Sequence, residues 1–143
     1  MADEKTTQYA GFWKRVGAYL VDVAVLAPIW LFLIIPYDAF NPERNIQNTI
    51  SLEFASLIAT FLMTAYEVIM YAEYDGQTLG KRVTGIKVIM EDGSKITYGK
   101  ALLRAICEYL STAIAGLGYL WVAWDKKKQG WHDKISQTLV VKV

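Results

Sequence analysis

Four ionisable residues interrupt the longest apolar stretches of this sequence: Asp22, Glu67, Arg104 and Glu108. Each lies about one to two helical turns into its stretch, so helices of ordinary rise would bring the four side chains to a similar depth. Ionisable residues inside apolar segments usually face the interior and often mark ion or proton pathways. Three acids and one base leave an excess of negative charge, which a shared proton or a bound cation would balance. The pattern therefore predicts either a cation or proton site, or a static ion-pair cluster that fixes the helices.

Two pairings between charged residues follow from helix geometry. Arg15 and Asp22 lie on one face of a helix, but they are separated by roughly 10 Å of rise, and helical side chains lean toward the N-terminus. Arg15 therefore leans away from Asp22. We expect Arg15 to pair with Asp133 and to tether the C-terminal segment, and we expect Asp22 to pair with Arg104.

Enzyme, cofactor and metal chemistry find little support in the residue types. The chain has one Cys, Cys107, and one His, His132, and these show neither zinc-ligand spacing nor a nucleophilic dyad. The segment from Gly76 to Arg82 resembles a phosphate loop only superficially, because its glycines are one residue too close and no Ser or Thr follows the Lys. We expect no enzyme, no cofactor and no metal, and a tight turn at this segment.

The composition indicates a membrane protein. The chain has 143 residues, of which 54% are hydrophobic and 20% are charged, and its mean hydropathy is +0.22. Residues 14–37 and 50–74 are apolar runs near the roughly 20 residues that a transmembrane helix needs. A central Asp costs roughly 2.5–3.5 kcal/mol, which the many aliphatic residues of the first run offset at about 0.3–0.6 kcal/mol each. We therefore predict two full transmembrane helices; the first run is too long and too acidic for a cleaved signal peptide.

A third apolar stretch, residues 99–125, contains glycines at Gly116 and Gly118. It either crosses once or turns back. If it turns back, every Lys and Arg except Arg44 lies on one side of the membrane, which the positive-inside rule assigns to the cytoplasm. We therefore favour a broken, re-entrant stretch with both termini cytoplasmic in a bacterial-type plasma membrane. The basic face would contact anionic lipid headgroups, and the net charge of +1 gives no support for a nucleic-acid partner.

A small β element is predicted between the apolar stretches. Residues 83–98 alternate in the manner of strands around the turn signal Asp92-Gly93, which predicts a β-hairpin. Residues 138–143 form another β-prone run, and a hairpin alone is only marginally stable. The C-terminal strand is therefore expected to pair with the hairpin, within one mostly α domain spanning residues 1–143.

Three motifs in sequence order resemble the RDD family of small integral membrane proteins. Arg15, Asp22 and Asp133 match the arginine–aspartate–aspartate pattern of that family. The loop at 76–82 and the segment at 129–134 are similar to its other signatures, and the resemblance covers nearly the whole chain. The family is generally described as of unknown function, and sodium–proton antiport has been suggested for some members. The resemblance thus implies a membrane protein with a transport role as one hypothesis.

Two functions of different classes follow. The leading hypothesis is a transport or transport-associated role, linked to a cation or proton, with Asp22, Glu67 and Arg104 near the site. The alternative is a membrane scaffold or assembly subunit, whose buried charges only hold helices together. Three short apolar segments enclose little volume, so a transporter of this size is expected to form a homo-oligomer.

Overall fold

The structure, a computed structural model, describes residues 8–40, 46–113 and 117–143. Side chains are described throughout these ranges except at residues 30, 32–40, 46–52, 112 and 113. Two positions used in the topology argument, Arg44 and Gly116, lie outside the described residues.

Two long helices occupy the first half of the chain. Helix α1 comprises Phe12–Phe40 and helix α2 comprises Ile46–Glu73, so each is about 43 Å long at 1.5 Å per residue. Among the described residues, one helical segment is long and apolar enough to cross a membrane: Glu53–Glu73, with a mean hydropathy of 1.5. Only 11% of the best window in that segment is buried inside the protein. One of the two predicted spans is therefore found as a candidate.

The third apolar stretch is broken. Helix α4 comprises Tyr98–Ala113, helix α5 comprises Leu117–Leu120, and a 3-10 turn follows at Trp121–Ala123. Helix α5 packs back against α4. The contact is close, since a Cβ atom on Gly118 would lie 2.6 Å from the Cβ atom of Ser111. The expected interruption is thus present, and its two sides are in contact.

In the described part of the chain the sheet has two strands, β1 at Ile86–Met90 and β2 at Thr138–Lys142. They are antiparallel, with Val88 opposite Val140. The segment before α1 lies along the other edge of β2, where the amide of Ala10 donates to the carbonyl of Val140 over 2.8 Å. The C-terminal strand predicted from the sequence is confirmed.

The prediction of a second hairpin strand after Asp92-Gly93 is wrong. The turn at Asp92-Gly93 is formed, and the amide of Met90 donates to the carbonyl of Ser94 over 2.9 Å, but residues 95–97 form no strand. Both edges of β1 are already used, since β2 pairs with one and the carbonyl of Gly76 accepts from the amide of Val88 at 2.8 Å on the other. The returning chain instead places Ile96 in the core and enters α4.

A short helix replaces the tight turn and strand start predicted near residue 80. Helix α3 comprises Leu79–Thr84, and Thr78 is its N-cap, with the side-chain oxygen accepting from the amide of Lys81. Thr residues are favoured at this position because the hydroxyl satisfies an otherwise unpaired amide. This helix packs against α1 and brings Lys81 toward the centre of the molecule.

The buried core joins the sheet to the ends of the long helices. Its members come from the segment before α1, from α1, α2, the loop before α4, α4 and both strands: Ala10, Ala18, Tyr71, Ile86, Val88, Ile96, Ala101 and Val140. Helix α6, Trp131–Ser136, lies against α4 and leads directly into β2. This arrangement positions the polar residues of α1, α2, α3, α4 and α6 around one end of the helix bundle.

Candidate functional site

Asp133 is the centre of a buried ionic network. Its carboxylate is fully buried, and Oδ2 accepts from Nη1 of Arg15 at 2.5 Å and from the amide of Gly130 at 3.0 Å. The other oxygen, Oδ1, accepts from Nη2 of Arg104 at 2.9 Å and from its Nε at 3.2 Å. The predicted pairing of Arg15 with Asp133 is confirmed. One carboxylate thus joins α1, α4 and α6.

Both guanidinium groups have further acceptors. Arg104 also donates to the carboxylate of Glu108 on the same helix and to the hydroxyl of Tyr71. Arg15 also donates to the carbonyl of Ala10 at 3.2 Å and to a second carbonyl, that of Lys128. Burial raises the pKa of the Asp133 carboxyl, but Arg104 and then Arg15 outweigh that effect, and together they hold it well below its usual range. Asp133 is therefore ionised at any physiological pH.

Asp22 is buried but does not pair with Arg104, so that predicted contact is wrong. Its Oδ2 accepts from the hydroxyl of Thr78 at 2.6 Å, and its Oδ1 accepts from the amide of Gly80 at 2.7 Å and from the hydroxyl of Tyr66 at 3.0 Å. The reason is the unpredicted helix α3, whose first turn presents unpaired donors to the carboxylate. Neutral donors therefore satisfy Asp22 where an arginine was expected.

The contact between α1 and α3 is close enough to require glycine. A Cβ atom on Gly80 would lie 1.9 Å from the backbone oxygen of Ala18 and 2.9 Å from Cγ of Asp22. Since no side chain fits in that space, Gly80 allows the amide of α3 to reach the carboxylate. The hydrogen bonds from Thr78 and Gly80 to Asp22, called the latch below, hold α3 against α1.

A cavity of about 340 Å³ lies beside the ionic network. Its polar lining comes from five helices and comprises Arg15, Glu67, Lys81, Arg104, Glu108 and His132. Its apolar lining comprises Phe12, Val16, Tyr19, Tyr119, Val122 and Val140. Of the four ionisable residues singled out from the sequence, Glu67, Arg104 and Glu108 line this cavity and Asp22 does not.

Two opposite charges in the cavity have unused hydrogen-bonding capacity. Within the described part of the chain, the carboxylate of Glu67 has no hydrogen bond and no ion pair, although it lines the cavity beside three cationic residues. Lys81 donates from Nζ to the hydroxyl of Tyr71 at 2.8 Å, which leaves two of the three ammonium protons unassigned. No contact within 4.0 Å joins the two charges to each other.

His132 lines the same cavity as a neutral side chain. It is buried, with Nε2 at 3.6 Å from Oδ1 of Asp133 and 3.9 Å from Oε1 of Glu108. Burial lowers the pKa of His132 to about 4, although the nearby carboxylates oppose that shift. Its other ring nitrogen, Nδ1, is buried and has no hydrogen-bond partner among the described residues.

Sequence reasoning missed the roles of Lys81 and Tyr71. It assigned Lys81 to the headgroup-contacting basic face, whereas α3 directs that side chain into the cavity. The signal available was Thr78 as an N-cap, followed by two basic residues and then Gly85 as a C-cap, which together indicate one short helix. Within the ranges that the structure describes, no group of three His, Cys, Asp or Glu residues could hold a metal ion.

Comparison with known proteins agrees with the motifs. The model of the RDD family matches residues 9–137. This chain belongs to the RDD family. Among its relatives, the uncharacterized protein YxaI of Bacillus subtilis is 32% identical, with 92% of this chain and 96% of YxaI covered. The uncharacterized membrane protein YteJ of the same organism is 33% identical, with 98% of this chain and 85% of YteJ covered.

A further relative and the solved structures add little to these matches. The proline-rich antigen of Mycobacterium leprae is 34% identical over a region that covers 59% of this chain and 36% of the antigen. No solved structure matches the chain significantly.

The three residues of the RDD pattern serve two different contacts. Arg15 and Asp133 belong to the buried ionic network that joins α1 to α6. Asp22 belongs to the latch that joins α1 to α3. Both contacts attach a short helix to α1, the central helix α3 in one case and the C-terminal helix α6 in the other.

Proposed function

We propose that this RDD-family chain is an integral membrane protein with a transport or transport-associated role, in which Glu67 exchanges a proton or another cation with the cavity. The observation that carries the proposal is the carboxylate of Glu67. It projects from the apolar candidate span into a cavity of about 340 Å³ with no protein partner among the described residues. Intramembrane carboxylates that face a cavity are typical of ion and proton pathways.

The proposed membrane arrangement uses the apolar helices and the distribution of charge. Helices α1 and α2 would cross a bacterial plasma membrane, and α4 with α5 would turn back within it. Exposed apolar side chains on α1 and α2 support lipid contact, among them Leu20, Ile29, Phe54, Leu57 and Phe61. Both termini and the sheet would be cytoplasmic, with the basic residues against anionic headgroups. A reporter fused to the C-terminus tests this topology, and an external signal would contradict it.

A homo-oligomer is part of the proposal. The cavity lies at one end of the bundle and is lined by one chain, and a path across the membrane needs further protein surface to line it. Copies of this chain are the simplest source. Light scattering of the purified protein in detergent should give more than one chain per particle, and a monomer that still supports flux would contradict this part.

The test of transport is flux in proteoliposomes that contain the full chain. An imposed sodium or potassium gradient should move protons, read with an internal pH-sensitive dye, and Glu67→Gln should abolish that movement. Asp75→Asn is the matched control, since Asp75 is exposed and pairs with Lys87 at 2.9 Å outside the cavity. Flux that persists in Glu67→Gln, or wild-type vesicles without flux, would overturn the proposal.

A second candidate function is a membrane scaffold or assembly subunit. The observation that favours it is the network around Asp133, in which one buried carboxylate joins three helices. Polar networks of this kind fix the arrangement of helices without moving any ligand. This reading predicts that wild-type vesicles show no flux, and that Asp133→Asn alters oligomer size and stability.

A further inference from the structure

Charged side chains of both signs surround the cavity. Three cationic residues line it, Arg15, Lys81 and Arg104, and two carboxylates face them, Glu67 and Glu108. Asp133, which holds both arginines from behind, supplies the third negative charge. The neutral His132 adds none. Asp22, outside the lining and held by neutral donors, interacts electrostatically with Glu67 and Lys81 and is a fourth carboxylate beside the three cationic residues.

The unused capacity of Glu67 and Lys81 restricts which ligand satisfies the whole cavity. A bare inorganic cation at Glu67 would leave Lys81 without an anion, and a bare anion at Lys81 would leave Glu67 without a cation. Uncompensated charge in a partly apolar cavity is costly. A ligand that carries both charges satisfies both side chains and adds no net charge.

The hydrogen-bonding inventory points to the same two residues. Arg15 and Arg104 already donate to Asp133 and to other acceptors, so they have little capacity left for a ligand. Lys81 has one acceptor, Tyr71, and Glu67 has no donor among the described residues. Burial lowers the pKa of the Lys81 ammonium and Arg104 lowers it further, so an anion beside Lys81 would stabilise its charged form.

We propose that the cavity binds a small amphipathic zwitterion, with its ammonium group at Glu67 and its carboxylate or phosphate group at Lys81. The apolar part of the ligand would lie against the aromatic and aliphatic lining, which includes Phe12, Tyr19 and Val122. A volume of about 340 Å³ suits a small molecule, since ligand pockets begin at roughly 300 Å³. The inference rests on the proposed function and names its substrate class, because the cation that Glu67 takes becomes the ammonium of the ligand.

Two sources supply this chemistry, a free apolar amino acid and the headgroup of phosphatidylethanolamine. The first arm measures binding to the full-length protein in detergent by calorimetry, with L-leucine as the probe. Isopentylamine and 4-methylpentanoate are matched probes that lack the carboxylate and the ammonium group. L-leucine should bind at least about tenfold more tightly than either, as expected when one charged contact is lost.

The second arm measures retained lipid by native mass spectrometry after reconstitution in vesicles of equal parts phosphatidylethanolamine and phosphatidylglycerol. Selective retention of phosphatidylethanolamine would identify the lipid as the source. Glu67→Gln and Lys81→Gln should each abolish whichever selectivity is observed, whereas Lys87→Gln, outside the cavity, should preserve it.

The outcomes separate this inference from the proposed function. Binding of leucine or selective retention of phosphatidylethanolamine, lost in both variants, supports the inference even if vesicles show no flux. Equal binding of the single-charge probes, or no selectivity in either arm, overturns it. Cation-driven proton flux that depends on Glu67 would then stand without a zwitterionic ligand. The comparison of probes on the wild-type protein keeps the test valid if a variant fails to fold.

Discussion

Nη1 of Arg15 lies 2.5 Å from Oδ2 of Asp133, although 118 positions of sequence separate the two residues. The second oxygen of the same carboxylate accepts from Arg104, so one buried anion holds a buried cation and a partly buried one. Long-range contacts of this kind define how the C-terminal elements attach to the first helix. The stability of the fold should therefore depend more on Asp133 than on either Arg15 or Arg104.

Asp133→Asn should destabilise the protein by about 3–5 kcal/mol, because it leaves the buried guanidinium group of Arg104 and the partly buried one of Arg15 without their shared anion. Chemical denaturation in detergent, followed by circular dichroism, measures this change. Asp75→Asn is the control, since its carboxylate is 52% exposed in a surface pair with Lys87 and should change stability by at most about 1 kcal/mol. Equal effects of the two substitutions would contradict the assigned role of Asp133.

The sequence predicts the Arg15–Asp133 contact but not the environment of Asp22. The first follows from helix geometry, which turns Arg15 away from Asp22, and from complementary charge. The environment of Asp22 depends on the amide of Gly80 and the hydroxyl of Thr78. Because these donors are neutral, no pattern of charged residues in the sequence indicates them. Charge pairing alone therefore assigned Asp22 to the wrong partner.

The small sheet shows the same limit of local information. β-propensity predicted a hairpin over residues 83–98 and a strand at residues 138–143; strands form at residues 86–90 and 138–142, and the turn at Asp92-Gly93 forms as expected. Residues 95–97 have similar propensity, but the edges of β1 are taken by β2 and by the carbonyl of Gly76. Whether an edge is free depends on distant segments, which local propensity does not contain.

Gly80→Ala should abolish the stable attachment of α3 to α1. The added Cβ atom would lie 1.9 Å from the backbone oxygen of Ala18, so the two helices must separate and the amide must withdraw from Asp22. We expect a loss of more than about 3 kcal/mol, in the range of severe core defects. Gly99→Ala is the matched control, because nothing lies within 4 Å of its Cβ position near the start of α4, and it should be neutral or slightly stabilising. Both are measured by thermal unfolding in detergent.

Asp22→Asn should weaken the fold and leave any proton flux through the cavity largely intact. The substituted amide retains one acceptor oxygen, while its nitrogen replaces an oxygen that accepts from Gly80 or Thr78. We expect a cost of about 1–2 kcal/mol, typical of one mismatched buried hydrogen bond. Flux and unfolding measured on the same preparation separate this variant from Glu67→Gln, for which the order of effects should be reversed. Complete loss of flux with unchanged stability in Asp22→Asn would show that Asp22 belongs to the transport site.

The stability of the fold should fall as the pH drops from about 6.5 toward 4, because of His132. Burial keeps the pKa of this imidazole at about 4 in the folded state, whereas the unfolded chain protonates it near its ordinary value of 6.5. The unfolded state therefore binds the additional proton in this window, and it is stabilised relative to the folded state as the pH falls. The groups that face His132 are Arg15 on α1, Arg104 and Glu108 on α4, and Asp133 on α6.

The expected loss is about 2 kcal/mol between pH 6.5 and pH 4.5, near 1.4 kcal/mol for each pH unit over which one proton is taken up. His132 is the sole histidine of the sequence, so His132→Gln removes the imidazole contribution completely. Its unfolding free energy should vary less with pH across this window than that of the wild-type protein, when both are measured by denaturant titration at fixed ionic strength. Parallel pH profiles for the two proteins would mean that the buried imidazole is not held neutral, and that a positive charge at His132 must be added to the cavity.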